Sequence, residues 1–428
     1  MSVTILSIAD THTPAYNNQN LVASSTNSSQ TNFKYVVTVE VNDGFSVQNI
    51  ELKILPRPDN SKLYFNPQRV VEANIASVFT PVETANNYFF YPSLSEPSQF
   101  KKVTIGIDEE YGTPVSGFGG ASGSYYVWNG AYDSLDFADF TYSTTTKAKD
   151  LTLSPSNIDT INYNQRYLFK SWNRGFSTRD LRYLFLTSVD SAGNTIQDVV
   201  IENLDYDVTP NYRFNYVGLN CSPYSFNRFY GAPIIYQLDP VADLVPAATA
   251  SYTFYFSDQN PPLPGISSNL NTVIIDDYCS MYKKYVMHFL NEFGNYDSYT
   301  FNLLSRNNTE KETSEFKRIP YELNASNEYR YEKYTNDTVI YNTVLTNKWT
   351  LNTDWINDAQ SEWLRDLFAS PDIKLEILDD PNVAGDQSAL ISVKCSIKNF
   401  ETKKQVNDKC FNITIEIENA LQDVRQRC

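Results

Sequence analysis

Apolar residues recur at two different periods along this chain, and the clearest change of period lies between Val344 and Ile377. Trp355, Ala359, Trp363 and Leu367 fall four apart, with Ile356, Leu364 and Phe368 beside them, so one helical face is apolar. Asn352, Thr353 and Asp354 are good N-cap residues, and Ser370-Pro371 is a stop signal. The spacing predicts a helix over 354–369. Ile373, Leu375 and Ile377 then alternate with Asp372, Lys374 and Glu376, the pattern of a half-buried strand. Each large apolar side chain of the helix contributes roughly 1.5–3 kcal/mol when buried, so the helix is expected to lie on a sheet.

Elsewhere the period is two. Tyr35, Val37, Val39 and Val41 alternate with polar residues, Asn42-Asp43-Gly44 is a hairpin signal, and Ile50, Leu52 and Ile54 form a returning strand. A short helix is expected over Arg69–Ala76, and strands within Phe89–Ile107 close a first module at residues 1–107. A middle module, 108–260, opens with the glycine run Gly117–Gly123, read as a flexible surface loop, and the aromatic strand Tyr125–Trp128. Tyr167–Phe169, Tyr183–Leu186 and the alternating Tyr252, Phe254 and Phe256 supply its other strands. Pro261–Gly265 reads as a stiff linker.

The third module, 266–428, begins with Val273–Ile275. Tyr285–Leu290 and Tyr296–Phe301 read as a hairpin around Phe293-Gly294-Asn295, with a helix over Tyr282–Leu290 as the alternative. Arg306–Glu315 reads as a solvated loop. Strands at Val339–Leu345, Ile391–Ile397 and Ile413–Ile417 complete the chain. The expected fold is mainly β: two or three β-sandwich-like modules, a few short helices, and one helix packed on a C-terminal sheet.

Composition agrees, with 31 Tyr, 25 Phe and only 15 Gly in 428 residues. The net charge is −16. There are 16 Lys and Arg against 25 Asp and Glu before Gly265, and 18 against 25 from it onward. So dispersed an acidic surface argues against specific nucleic-acid binding, which needs clustered Lys and Arg. Cys221, Cys279, Cys395, Cys410 and Cys428 are widely spaced and form no CxxC pair, so no zinc site or disulfide framework is expected. Cys395 shares a face with Ile391 and Val393 and reads as a small core residue. The N-terminus lacks the basic and apolar regions of a signal peptide, and no stretch is apolar enough to span a membrane. Synthesis in a cytoplasm without export is the expectation.

Candidate chemistry is sparse. His12, in an N-terminus expected to fray, and His288 are the only histidines, too few for a histidine-centred site. Acids cluster at Asp108/Glu109/Glu110, Asp133/Asp136/Asp139, Asp276/Asp277 and Asp379/Asp380. Two carboxylates in an aromatic cleft would suit a glycosidase, but adjacent acids are more often solvated charges. The glycine run lacks the Lys-Ser/Thr of a phosphate loop. The chain is therefore read as a non-enzyme, with no catalytic residue, cofactor or metal ligand. Tyr125, Tyr126, Trp128 and Trp172 are the candidates for a partner interface or for stacking on a glycan.

Three segments carry a resemblance. Phe33–Pro67 holds the hairpin and a proline-rich bend, and Glu109–Pro114 (EEYGTP) is followed by Tyr125–Gly130 (YYVWNG). The C-terminal part holds FLNEFGNYDSYTFNLLSR, WTLNTDWI, WLRDLFASP and the closing Phe411–Ala420. Together these resemble structural tail proteins of tailed phages infecting Bacteroidetes, the crAss-like podoviruses. The resemblance implies a virion protein of the tail (hub, collar or fibre-attachment layer), made in the host cytoplasm and assembled as a ring with copies of itself and other tail proteins. A glycan-binding receptor-recognition protein on the virion is the alternative.

Overall fold

Alternation sets the first strands as expected. In Lys34–Asn42, Tyr35, Val37, Val39 and Val41 are buried while the residues between them are half exposed. A computed structural model of the chain describes residues 2–42, 46–76, 79, 90–92, 100–114, 116–138, 149–150, 152, 154–155, 158–163, 165–172, 181–203, 216–228, 235–237, 243–258, 268–276, 282–319, 321–323, 325–331, 336–378, 389–396, 412–421 and 423–424. Residues 43–45 of the expected turn, the Pro261–Gly265 linker, Asp139, Asp277, Asp379, Asp380 and the side chains of Asp136 and Trp172 lie outside this description.

The chain opens with β1 (Val3–Ser7), β2 (His12–Pro14), β3 (Leu21–Ser25), β4 (Lys34–Asn42), β5 (Val47–Ile54), β6 (Leu63–Phe65), α1 (Gln68–Glu72), β7 (Phe90–Pro92), β8 (Phe100–Tyr111) and β9 (Ser116–Trp128). There follow α2 (Ser134–Ala138), β10 (Lys149–Asp150), β11 (Ile158–Ile161), β12 (Leu168–Trp172), β13 (Tyr183–Val189), β14 (Thr195–Asn203), β15 (Tyr216–Asn220), α3 (Pro223–Arg228), β16 (Ile235–Gln237), β17 (Ser251–Ser257) and β18 (Asn271–Ile275). The last part holds β19 (Tyr285–Leu290), β20 (Tyr296–Phe301), β21 (Arg306–Lys317), β22 (Tyr321–Leu323), β23 (Tyr329–Tyr331), β24 (Thr338–Asn352), α4 (Asp358–Ala369), β25 (Ile373–Ile377), β26 (Ala389–Cys395), β27 (Thr414–Asn419) and β28 (Asp423–Val424). The fold is mainly β, as composition and alternation predict.

Two compact units result: Met1–Asp277 with Leu290–Ser298, and Tyr278–Phe289 with Tyr299–Cys428. The first unit contains two sandwich-like cores. In one, the five-stranded sheet β2-β9-β8-β4-β5 and the three-stranded sheet β1-β3-β6 share a core of Val3, Leu21, Ala23, Tyr35, Val37, Val39, Val103, Ile105 and Val127. In the other, β10-β12-β15-β7 and β11-β18-β17-β13-β14-β16 enclose Phe169, Leu219, Leu184, Leu186, Phe254, Phe256 and Val273.

The expected division after residue 107 falls inside β8, whose pairing with β4 runs on to Glu110. Moreover β7, which precedes β8, pairs with β15 and so belongs to the second sandwich. The division at 265/266 also fails to separate sheets, because β18 pairs with β17 and β11. Local alternation shows where strands are but carries no information on distant partners, and that is why both boundaries were misplaced.

The glycine run is strand β9 and not a loop. It pairs with β8 from Phe100–Trp128 to Tyr111–Ser116, and Gly119 and Gly120 together face Asp108 across a bulge. The Gly120 amide donates to the Asp108 carboxylate at 2.8 Å. A Cβ at Gly120 would sit 1.7 Å from the Ile107 carbonyl oxygen, so this glycine answers to a close approach of two backbones.

The second unit is built on β20-β19-β25-β26-β27-β24-β21, with β28 paired to β24. Tyr285–Leu290 is a strand; the helical alternative is excluded. Helix α4 packs on this sheet through Trp363, Leu364 and Leu367, which are buried. It starts at Asp358, four residues later than its periodicity suggests. Thr353 continues the sheet instead: its amide donates to the Ile413 carbonyl at 2.9 Å and its hydroxyl accepts from the Ile413 amide at 2.8 Å. Asn357 is the cap, accepting from the Gln360 amide at 2.9 Å while its own amide donates to the Gln360 side chain at 3.1 Å.

Candidate interaction surface

The aromatic residues proposed for stacking are interior. Tyr125, Tyr126 and Trp128 are all buried, because β9, exposed at alternate positions up to Ser124, is covered on both faces over Tyr125–Trp128. The Tyr125 hydroxyl donates to the Gln19 side chain at 2.7 Å, and the Gln19 amide nitrogen donates to the Ala15 carbonyl at 3.0 Å. Tyr126 packs against His12 at 5.6 Å and Phe100 at 5.5 Å, and those two rings lie 6.3 Å from each other. Trp128 meets the edge of Tyr132 at 6.2 Å. None of these three rings offers a face to a ligand, so they are core residues. For Trp172 the structure gives only the backbone, in β12.

The acids of the same region are tied down one by one. Adjacent residues of a strand point to opposite faces, so Glu109 is turned away from Asp108 and Glu110, and those two are held by different partners, the Gly120 amide and Lys53. Glu109 accepts hydrogen bonds from Ser2, Ser25 and Asn27, binding β8 to the start of the chain and to the end of β3. Burial pushes this carboxyl up, but the three hydrogen bonds outweigh burial and hold it below its ordinary value. Glu110 pairs with Lys53 at 2.7 Å. His12 does not fray: it is buried in β2, and burial holds its imidazole down at about 4. His288 Nε2 lies 2.9 Å from the Glu376 carboxylate, both side chains being fully enclosed. Cys395 is half buried and not a core residue. Among the described residues no group of three or more His, Cys, Asp or Glu could hold a metal ion.

The largest departure from expectation is β21. Arg306–Glu315 has no apolar alternation and reads as a loop, yet Arg306–Lys317 is a twelve-residue strand paired along its whole length with β24. Alternation fails here because both faces see solvent: all of β21 except Ser314 is exposed. Backbone pairing with β24, helped by cross-strand side-chain contacts, carries the strand in place of a buried face. It is the terminal strand of its sheet among the described residues.

Among the described residues its partner, β24, pairs with β27 over Lys348–Asn352 and with β28 at Val344 and Leu345, and Thr338–Thr343 and the facing Thr313–Lys317 make a two-stranded ribbon. Near the sheet the ribbon carries a charge ladder: Lys348 of β24 bonds Glu310 of β21 and lies 3.8 Å from Glu418 of β27, which meets Lys394 of β26 at 2.8 Å. At the far end Phe316 and Tyr341 lie 6.2 Å apart, both about half exposed, with Ile319 and Ile340 also exposed. Residues 306–352 hold seven basic and seven acidic side chains, a neutral stretch in a strongly acidic chain.

Trp355 is the other surface feature the pattern hid. Periodicity assigns it to the buried face of the helix, but α4 starts after it and it is 69% exposed. A tryptophan in water is an interface signal. Its only sequence trace is its place ahead of the Asn357–Gln360 capping box.

No model of a known protein family matches this chain, and no curated protein matches it.

Proposed function

We propose that this chain is a structural component of a phage tail, in the hub, collar or fibre-attachment layer, assembled as a ring through protein–protein contacts. Its partners are copies of itself and other tail proteins, its place is the virion, and it is made in the host cytoplasm. The sequence resemblance suggests the setting. The observation that carries the reading is strand β21, twelve residues long and exposed on both faces except at Ser314, with one edge that no other strand pairs among the described residues. A surface of this kind has a physical use as a grip on another subunit, because pairing along it needs only backbone groups and alternating charges. The acids available for catalysis in the first sandwich are instead engaged as ties between strands.

Mass spectrometry of purified particles tests the proposal. The chain is expected among the tail proteins in a fixed copy number. Its absence from particles in which the other tail proteins are found would overturn the reading.

A second reading, a glycan-binding adhesin, draws its support from Trp355. It predicts glycan-array binding by the purified protein that Trp355→Ala abolishes.

A further inference from the structure

We propose that β21 pairs, antiparallel and about a two-fold axis at Thr313, with β21 of a second copy of this chain. The proposal rests on the assembly role above and goes further, naming the partner, the strand and the register: the two-fold contact joins copies in pairs, and ring closure uses a separate, heterologous surface.

Among the described residues no strand pairs with the outer edge of β21, and that edge lacks the usual protections. Edge strands are commonly kept short, interrupted by proline or bent by a bulge. This one runs for twelve residues without proline. The one register slip, at Ser314/Glu315, puts its extra residue, Tyr341, on β24 and leaves β21 regular. Charge is the remaining deterrent. Yet β21 carries three basic side chains (Arg306, Lys311, Lys317) and three acidic ones (Glu310, Glu312, Glu315), so it does not repel a copy of itself.

Geometry then limits the registers. Along a strand only alternate residues turn their amide and carbonyl to the open side. A strand paired with its own copy must therefore place the two-fold axis at a residue, so that equivalent positions meet. An axis at Glu310, Lys311 or Glu312 sets a charge directly against itself, and one at Ser314 sets Lys311 against Lys317 of the copy. The axes at Asn308, Thr309 and Thr313 escape this. Of these, Thr313 gives the longest overlap, Thr309–Lys317, and sets Lys311 opposite Glu315 of the copy twice.

Those two side chains are available. Both are exposed; among the described residues Lys311 has no ion-pair partner, and Glu315 accepts only from the Thr313 hydroxyl at 3.4 Å. The pairing gives each its counter-charge and extends the sheet of one copy into the other.

Thr313→Cys in the full-length protein tests this directly. Residues opposite each other in antiparallel strands have Cα atoms about 4.5–5.5 Å apart, within the range a disulfide spans. Mild oxidation should give a dimer whose bridge, located by peptide mass spectrometry, joins position 313 to itself. Thr309→Cys and the exposed-site control Leu135→Cys should crosslink far more slowly. In the otherwise native chain Lys311→Glu should weaken dimerisation about tenfold, and Lys311→Glu with Glu315→Lys should restore it. A Thr313→Cys variant that crosslinks no faster than the Leu135→Cys control, or a charge swap that restores nothing, would overturn the inference. That result would leave the place of the chain in a particle untouched, since particle composition tests it separately.

Discussion

Phe289 of β19 and Trp363 of α4 meet with ring centroids 5.7 Å apart, and this contact ties the helix to its sheet. Tyr299 closes on the same indole at 6.0 Å. Trp363→Ala should therefore cost about 3–5 kcal/mol, as for other large aromatic truncations in a core. Trp355, eight residues earlier and largely exposed, should cost less than about 0.5 kcal/mol when changed to alanine. Urea unfolding of the two variants checks the contrast, and equal losses would refute the placement of the helix start.

Gly120 and Gly119 are neighbours in the same bulge but differ in surroundings. A Cβ at Gly120 would strike the Ile107 carbonyl, whereas at Gly119 it would meet nothing within 4 Å. Gly120→Ala should destabilise the protein by about 3 kcal/mol because backbone must move. Gly119→Ala should lie within about 0.5 kcal/mol of the parent. Thermal unfolding distinguishes the two.

His12 gives the protein a weakness towards acid. Its imidazole is held down by burial from an ordinary 6.5 to about 4, so the folded state prefers the neutral ring. That contribution is present above the unfolded value and is lost as pH falls from about 6.5 towards 4. Linkage puts the loss between pH 7 and pH 5 at about 2 kcal/mol. Glu109, held below its ordinary 4.5, adds a further loss only at lower pH. His12→Gln should flatten the stability profile between pH 7 and pH 5, as measured by urea titration.

Asp159 acts in the opposite direction. It is fully buried, and burial raises its carboxyl even though Ser154 and Tyr167 donate to it. A raised folded value means stability that is present at low pH and lost as pH rises through that value. Asp159→Asn should therefore gain on the parent protein as pH is raised above the ordinary carboxyl value of 3.8. A difference that stayed constant with pH would show that burial does not raise this carboxyl.

Strands with one covered face were plain in the sequence: Tyr35 to Val41 and Tyr252 to Phe256 alternate because water meets one side only, and Ile373 to Ile377 alternates too although Glu376 on its other face is buried. Strands covered on both faces or on neither were not. In β9 the burial of Tyr125 through Trp128 erased alternation from within, so core aromatics looked like surface ones. In β21 exposure erased it from without, so the most accessible strand read as a loop. The start of α4 was hidden because Asn352, Thr353 and Asp354 cap as well in principle as Asn357. Pairing of Thr353 with Ile413, sixty residues away, decided the matter. Of the candidate surface, only the polar character of Arg306–Glu315 was legible.

Assembly through the β21–β24 ribbon is tested most directly by locating the chain in a reconstruction of intact tailed particles. The account predicts a ring of copies in the tail, with residues 306–352 covered by neighbouring subunits. A chain found outside the tail, or one whose ribbon stands in solvent touching no other subunit, would contradict it.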